Sequence, residues 1–381
     1  MSRFFLIVLD GVGAGAMPDA GDYGDEGTNT LGNLARAVGG LELPELESLG
    51  LGNVIPIEGV AENTEPSGAW GLMKELSRGK DTITGHWEMA GIISSEAFPT
   101  YPDGFPSEVI AEFERLIGRK GLWYKTASGT AILEELGDEH VRTGRPIVYT
   151  SADSVFQIAA HEDVIPPQEL YGICLKARGM LVPPHNICRV IARPFVGPPY
   201  RRTYNRKDFP LEPPGETILD RLKDARLDVL NVGKVVDMFG GRGFTGGRKT
   251  RGNADGMAAL DECAASLKEG LVFANLVDFD TLYGHRNDTS GFYGALREFD
   301  AWLGGFIARM KENDYLAITA DHGLDPTTPG TDHTREHVPL LFYGAQVKPR
   351  DLGIRQGFWD MGATIANVLG IRDWPKGKSF L

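Results

Sequence analysis

The chain has 381 residues and a formal net charge of −13, and 42% of its residues are hydrophobic while 24% are charged. This length allows two domains with separate cores, and the composition is ordinary for a globular protein. The acidic balance argues against general binding to nucleic acid or to an anionic membrane surface, so neither is predicted as a partner.

The first predicted element is an apolar run over residues 4–9, which ends in Asp10-Gly11 and is typical of a buried strand. The run is shorter than the apolar core of a signal peptide, and no stretch reaches the roughly 20 apolar residues of a membrane helix. The few cysteines lack Cys-x-x-Cys spacing, which fits a reducing compartment. We therefore predict a cytoplasmic protein with no obligate protein partner.

The middle third of the chain is rich in proline and has its own predicted elements, a helix over 107–119 and strands over 147–150 and 187–192. This change in composition predicts a smaller α/β cap domain inserted into the core domain. The predicted limits of the first core segment, the cap and the second core segment are 1–97, 98–214 and 215–381.

The last third of the chain repeats the pattern of the first strand. Apolar, often β-branched runs predict strands over 227–232, 271–277, 315–319 and 338–343. A helical spacing of apolar residues covers 292–311. The alternation predicts an α/β core with a mostly parallel sheet sandwiched by helices. A glycine-rich stretch, 240–252, is expected to be a mobile surface loop.

Acidic residues and histidines follow the predicted strands at their carboxyl ends, where ligands bind in parallel α/β sheets. The candidate metal ligands share this placement or lie in the loops beside it: Asp10, Asp280, His285, Asp321, His322, His333 and His337. A set of this size is too large for one tetrahedral site and suits two ions about 3.5–4 Å apart. Because these segments contain no cysteine, Mn²⁺, Mg²⁺ or Zn²⁺ is favoured over softer metals.

Residues 80–88, with the sequence KDTITGHWE, allow two interpretations. A threonine here can be the N-cap of a helix, which is a structural role. A threonine hydroxyl can instead be a nucleophile that is assisted by the helix dipole and activated by a metal ion. The pattern by itself favours the capped helix.

Five motifs together resemble the phosphopentomutases of the alkaline phosphatase superfamily, and the resemblance covers essentially the whole chain. The motifs are FLIVLDGVGAGAMPDA (5–20), GKDTITGHWEMAG (79–91), YTSADSVFQIAAHE (149–162), NLVDFDTLYGHRND (275–288) and ADHGLDPTTPGTDHTREHVPLL (320–341). The resemblance implies an alkaline-phosphatase-like core with an inserted cap over the active site. It also implies small-molecule pentose phosphates as the partners.

The family pattern implies two Mn²⁺ ions, each held by three residues. The implied ligands are Asp280, His285 and His333 for one ion, and Asp10, Asp321 and His322 for the other. Thr82 corresponds to the threonine that carries phosphate and bridges both ions, and Thr84 is the competing candidate. His337 and Asp278 lie outside the implied ligand set.

The resemblance implies interconversion of ribose or deoxyribose 1-phosphate and 5-phosphate. Phospho-Thr82 would donate its phosphate to the substrate, give a 1,5-bisphosphate intermediate and then take back the other phosphate. Glucose 1,6-bisphosphate or ribose 1,5-bisphosphate would act as the activator that primes the threonine. The alternative is a metal-dependent phosphatase or phosphodiesterase of the same superfamily, which would need no bisphosphate.

A basic stretch in the predicted cap, 189–207, contains no acidic residue and predicts a second phosphate site. The planar guanidinium suits bidentate contact with phosphate, although a solvated basic face is the other interpretation. The predicted contacts are Arg193, Arg202 and Arg206, with Arg189 behind them. Ser151 and Asp153 are expected to hydrogen-bond sugar hydroxyls, and Lys234 resembles a further phosphate contact.

Overall fold

The computed structural model describes residues 1–151 and 154–381. The chain forms two compact units. The larger unit combines Met1–Ala97 with Pro213–Leu381, and the smaller unit is Phe98–Glu212. Among the described residues, no helix has both the length and the apolar character needed to cross a bilayer.

The larger unit is built on an eight-stranded sheet in the order β10-β9-β11-β1-β12-β13-β2-β14. Its strands are β1 (Arg3–Leu9), β2 (Ala69–Met73), β9 (Asp228–Val232), β10 (Gly246–Arg248), β11 (Gly270–Leu276), β12 (Asp314–Thr319), β13 (Val338–Tyr343) and β14 (Asp351–Arg355). The run from β10 to β12 is parallel throughout, whereas β13 pairs antiparallel with both β12 and β2. The predicted α/β class with a mostly parallel sheet is confirmed.

Burial explains why the central strands have continuous apolar sequences. Every residue of β1 and of β11 is buried, so both faces of the sheet are covered at its centre. The stretch predicted to be a surface loop differs from the prediction, because part of it forms the edge strand β10 beside β9. Its glycines allow this close approach: a Cβ on Gly247 would lie 2.1 Å from the Asn231 carbonyl oxygen.

Helices cover this sheet. They are α1 (Thr30–Val38), α2 (Pro44–Leu49), α3 (Leu51–Val54), α4 (Thr82–Met89), α8 (Ile218–Asp224), α9 (Val235–Met238), α10 (Asn253–Ser266), α11 (Thr289–Ile307) and α12 (Trp359–Val368). In α11 the buried residues Phe292, Leu296, Phe299 and Leu303 recur at helical spacing and give the helix one apolar face. Asp288 caps this helix by accepting a hydrogen bond from Gly291 N–H.

The smaller unit has its own sheet, in the order β3-β4-β5-β6-β7 with β8 also paired to β6. The strands are β3 (Leu122–Thr126), β4 (Ile147–Thr150), β5 (Val155–His161), β6 (Arg189–Val196), β7 (Arg201–Arg202) and β8 (Lys207–Pro210), and the helices are α5 (Ser107–Ile117), α6 (Ala131–Thr143) and α7 (Pro167–Met180). Buried side chains from α5, α7 and the strands form one apolar cluster, so this unit has a core of its own.

Candidate metal and nucleophile site

Strand pairing in the larger sheet aligns the carboxyl ends of β1, β11 and β12. Val8 on β1 is paired with Asn275 on β11 and with Thr319 on β12. Since these strands are parallel, the residues that follow them leave the sheet at one edge. Asp10 and Asp321 therefore emerge side by side, each just beyond the end of its strand.

Asp10, Asp321 and His322 form a fully buried group. His322 Nε2 lies 3.3 Å from Asp10 Oδ1 and 3.5 Å from Asp321 Oδ2. The ligand atoms of the three residues all lie within 4.8 Å of one another, as a metal site requires. These are the three residues implied for one of the two ions.

A second group lies around Asp280, which sits in a π-helical turn, Phe279–Tyr283, that follows β11. Asp280 Oδ1 is 3.1 Å from His333 Nε2 and 3.1 Å from His285 Nε2. The ring of His333 also stacks on that of His322, with centroids 3.8 Å apart, so that Asp280, His322 and His333 form a compact set. His285 is 39% exposed and approaches this group from the outside.

Hydrogen bonds select the same ring nitrogen as the ligand atom in all three imidazoles. The Nδ1 atoms of His285, His322 and His333 face the carbonyl oxygens of Thr331, Gly323 and Lys80 at 2.5, 3.1 and 2.9 Å. A carbonyl oxygen only accepts, so Nδ1 carries the proton and donates. Nε2 is then the ring nitrogen that faces the carboxylates, and it would be the ligand atom in the metal-bound protein.

Three carboxylates lie close together in this buried space, and a cation would relieve the repulsion between their charges. Burial, together with the charges of Asp321 and Asp280, raises the pKa of Asp10 to about 6. Burial opposes ionisation of Asp321, but His322 and His86 outweigh it and lower the pKa of that carboxyl. The hydrogen bond to Asp280 raises the pKa of His285 to about 9. In the protein alone, the imidazoles thus provide the positive charge that the carboxylates require.

The donor set fits divalent metal ions. Asp10 Oδ1 and Asp321 Oδ2 are buried and accept no hydrogen bond within the described residues. Buried carboxylate oxygens without partners are costly, and a cation would satisfy them. The oxygen and nitrogen donors, without any thiolate, suit Mn²⁺, Mg²⁺ or Zn²⁺.

Thr82 is the first residue of α4, and its hydroxyl Oγ1 lies 3.2 Å from His322 Nε2. The expectation that a threonine caps this helix is wrong. Asp81 is the N-cap, and its Oδ1 accepts hydrogen bonds from Ile83 N–H and Thr84 N–H, each at 3.1 Å. The Thr84 hydroxyl is also bound to Asp81. Asp81 accepts hydrogen bonds from N–H groups at the start of α4 and binds the Thr84 hydroxyl. Of these two threonines, Thr82 is therefore the one whose hydroxyl faces the candidate metal ligands.

Several buried residues that the sequence did not single out support this site. Asn275 Nδ2 donates to Asp10 Oδ2 at 2.9 Å and so fixes the orientation of that carboxylate. His86, one turn after Thr82, places Nδ1 2.8 Å from Thr82 O and 3.3 Å from Asp321 Oδ2. The position of Asn275 within an apolar strand was the only sequence signal for it, and that signal is weak.

Arg335 connects the segment before Thr82 to the strand-like segment that carries His333. It is 3% exposed, and its guanidinium donates to Glu75 Oε2 at 2.7 Å and to the carbonyl oxygens of Ser77 and Gly79, each at 2.8 Å. Its backbone N–H donates to Asp25, which also accepts from Lys80 Nζ. The segment that precedes Thr82 and leads into α4 is therefore held by several hydrogen bonds.

In the smaller unit, the charges of Arg202 and Arg206 act on Arg193, whereas Arg189 lies at the start of β6. Arg193 on β6 is half-buried and donates from Nε to Gln157 Oε1 at 3.0 Å. Burial lowers the pKa of its guanidinium, and the nearby charges of Arg206 and Arg202 add to the effect. Arg193 therefore lies close enough to Arg202 and Arg206 to be repelled by them, and an anion would relieve that repulsion.

The arginines differ in how far their charge is already neutralised. Arg206 is exposed and forms a bidentate pair with Asp208, with both distances 2.8 Å. The one hydrogen bond that the structure describes for the Arg202 side chain goes to the Tyr149 hydroxyl, at 3.5 Å. Arg189 begins β6, and its Nε is buried without a hydrogen-bond partner in the described part of the chain.

The remaining candidates are placed as follows. Ser151 follows β4 and is half-buried, whereas Asp153 lies outside the described residues. Lys234 is exposed directly after β9, at the same sheet edge as Asp10. Asp278 accepts a hydrogen bond from Asn253 N–H and so binds the start of α10, which agrees with its exclusion from the ligand set. His337 donates its backbone N–H to Gly15 O and is in neither metal-binding group.

Comparison with known proteins places the chain among named relatives. The chain matches the metalloenzyme superfamily over residues 2–373. It is 55% identical to a phosphopentomutase of Caldanaerobacter subterraneus subsp. tengcongensis over 100% of this chain and 98% of that protein. It is 56% identical to a phosphopentomutase of Symbiobacterium thermophilum, with 99% and 97% covered. The solved structure of PH0037 from Pyrococcus horikoshii, 15% identical, shares the fold at a TM-score of 0.52 over 97% of both chains.

Proposed function

The chain belongs to the phosphopentomutase family, and we propose that it interconverts ribose or deoxyribose 1-phosphate and 5-phosphate through a phosphothreonine at Thr82. Family membership makes the chain an enzyme of the mutase class within the metalloenzyme superfamily. The observation that carries the finer proposal is the hydroxyl of Thr82, 3.2 Å from His322 Nε2 at the meeting point of the carboxylates.

Six residues would hold two Mn²⁺ ions in this proposal, although other divalent ions suit the same donors. The proposed ligands are Asp280, His285 and His333 for one ion, and Asp10, Asp321 and His322 for the other. When bound, the ions would neutralise charge on the transferring phosphoryl group and lower the pKa of the threonine hydroxyl.

The residues of the chain set the geometry of phosphoryl transfer. In the first half-reaction, the bond between phosphorus and Thr82 Oγ1 breaks and a bond from phosphorus to the free sugar hydroxyl forms. The proton of the sugar hydroxyl ends on Thr82 Oγ1, and the product is the 1,5-bisphosphate. The second half-reaction reverses these changes with the other phosphate. Asp81 and Arg335 hold the segment around Thr82 in place, which lowers the entropic cost of alignment.

The smaller unit would bind the phosphate that does not react. Arg193, Arg202 and Arg189 are the proposed contacts, with Arg206 as a weaker one because Asp208 already neutralises it. Ser151, Asp153 and Lys234 are proposed to contact the sugar or its phosphate. A cap domain that excludes water would distinguish a mutase from a phosphatase. The reduced state expected for the cysteines supports a cytoplasmic location.

Mass spectrometry combined with an isomerisation assay tests the proposal. The protein is supplied with Mn²⁺ and ribose 5-phosphate, with and without glucose 1,6-bisphosphate. We expect one phosphate on Thr82, which increases with the activator in parallel with the formation of ribose 1-phosphate. Steady release of inorganic phosphate without isomerisation would instead identify a metal-dependent phosphatase or phosphodiesterase.

A further inference from the structure

His86 occupies a buried position between the proposed nucleophile and a proposed metal ligand. Its side chain is fully buried, and Nδ1 lies 2.8 Å from the Thr82 carbonyl oxygen and 3.3 Å from Asp321 Oδ2. Both of these oxygens are acceptors, so Nδ1 must carry a proton that faces them. One N–H group therefore lies between the backbone of residue 82 and the carboxylate of residue 321.

The carboxylate of Asp321 depends on few other groups for its orientation. Gly11 N–H donates to Oδ1 at 3.1 Å, whereas Oδ2 is buried and accepts no hydrogen bond that meets ordinary geometry. Among the described contacts of Oδ2, His86 Nδ1 at 3.3 Å is closer than His322 Nε2 at 3.5 Å. Gly11 thus holds one oxygen of this carboxylate by a hydrogen bond, and the His86 N–H faces the other.

The preceding residue permits this close approach. A Cβ on Gly85 would lie 2.2 Å from the Asp321 carbonyl oxygen, so any side chain there would push α4 away from the strand end. The far side of the His86 ring stacks on Phe273 of β11, with centroids 5.3 Å apart and 17° between the planes. His86 Nε2 has no hydrogen-bond partner within the described residues, which agrees with an imidazole that uses only Nδ1.

We propose that His86 is a positioning residue that sets the distance between the Thr82 end of α4 and the carboxylate of Asp321. The inference rests on the proposed function, because it concerns the same nucleophile and the same metal ions. Its effect on catalysis would be indirect, since its described contacts are with Thr82 O, Asp321 Oδ2 and Phe273. An alternative role is packing alone, through the contact with Phe273.

Three substitutions distinguish positioning from packing. His86→Asn keeps an N–H donor at the δ position, His86→Gln moves the donor to the ε position, and His86→Phe keeps the ring but removes the donor. Mn²⁺ binding to the chelator-treated protein is measured by calorimetry, and phosphate on Thr82 is measured by intact mass. We expect His86→Gln and His86→Phe to weaken Mn²⁺ binding by about 10- to 100-fold, and His86→Asn to recover most of that loss.

The opposite order would overturn the proposal: if His86→Phe bound Mn²⁺ as well as His86→Asn or better, the ring would serve only in packing. Phe273→Leu gives an independent check, because it removes the stacking partner and keeps the donor. It should lower the midpoint of thermal unfolding while Mn²⁺ affinity stays within error of the parent value. A loss of affinity as large as that in His86→Gln would also refute the proposal.

The metal titration separates this inference from the proposed function. If the unsubstituted protein bound Mn²⁺ but did not isomerise ribose 5-phosphate, the mutase proposal would fail, and the order of the His86 variants would still decide the role of His86. If it isomerised the substrate and the three variants bound Mn²⁺ equally, only the positioning role would be wrong.

Discussion

His333 donates from Nδ1 to the carbonyl oxygen of Lys80 at 2.9 Å, so a proposed metal ligand is hydrogen-bonded to the backbone two residues before Thr82. The bond fixes the tautomer of His333 and leaves Nε2 as the ligand atom. It also restrains the segment that leads into α4. The proposed nucleophile and the proposed metal ligands therefore belong to one hydrogen-bonded unit.

The two threonines at the start of α4 should differ sharply when they are substituted. Thr82→Ala removes the hydroxyl that faces His322, so we expect kcat to fall at least ~10³-fold, as for loss of a nucleophile. Thr84→Ala removes a hydroxyl bound to Asp81 and should cost about 1 kcal/mol of stability. Intact mass after incubation with glucose 1,6-bisphosphate gives the phosphate content. Phosphate on Thr82→Ala but not on Thr84→Ala would reverse the assignment.

Asn275 should control the affinity of the metal ion at Asp10. Asn275→Leu removes the donor to Asp10 Oδ2 with little change in volume, so we expect Mn²⁺ binding to weaken by about 10-fold. Asn231→Leu is the matched control, because that buried asparagine bonds only backbone oxygens among its described contacts. Both variants should lose stability. Equal metal affinities in calorimetry would show that Asn275 does not orient Asp10.

Arg335 should be important for stability because it is buried together with its partner Glu75. Arg335→Met leaves the carboxylate of Glu75 uncompensated, and breaking a buried pair from one side costs about 3 to 5 kcal/mol. Arg309→Met is the control, since Arg309 pairs with Asp261 at an exposed site, where an ion pair contributes about 1 kcal/mol or less. Urea unfolding of the two variants compares these costs, and similar midpoints would contradict the expectation.

The arginines of the smaller unit should contribute unequally to substrate binding. Arg193→Met should raise KM for ribose 5-phosphate by about 10-fold, because a charge-assisted hydrogen bond to phosphate is lost. Arg206→Met should have a smaller effect, because Asp208 already occupies that guanidinium. Steady-state kinetics at saturating activator provide both constants. A larger effect at Arg206 would mean that its pair with Asp208 opens when substrate binds.

Stability should decrease below about pH 6.5, the ordinary pKa of histidine, because of His140 in the smaller unit. Burial lowers the pKa of His140, and nearby His161 and Arg119 also disfavour its charged form. Its Nε2 accepts a hydrogen bond from His161 N–H at 2.8 Å, which requires the neutral ring. The unfolded chain binds the proton more readily, so the contribution of His140 is present above its unfolded pKa and is lost as pH falls.

Urea unfolding between about pH 8 and pH 5 measures this effect. His140→Gln keeps an acceptor and cannot titrate, so its free energy of unfolding should fall less over this range than that of the unsubstituted protein. Parallel curves for the two proteins would show that His140 does not contribute.

Much of the site follows from sequence because parallel strands impose a simple rule. Apolar runs that end in Asp10, or just before Asp280 and Asp321, predict carboxylates at one sheet edge, and the structure places them there. The tautomers of the histidines could not be predicted, because each depends on a carbonyl from a separate loop. The sequence also misplaced the N-cap of α4, since Thr84 and Asp81 are equally good candidates until their side chains are positioned.

The sequence by itself determined the α/β class, the family and the residue types of the proposed metal-ligand set, because local patterns and long motifs encode them. Only the tertiary structure decided which hydroxyl faces the ligands and which buried groups orient them. Asn275 on Asp10 and His86 beside Asp321 are contacts between segments far apart in the chain. Such contacts depend on sheet register and on the close approach of α4 at Gly85, and neither can be read from residue spacing.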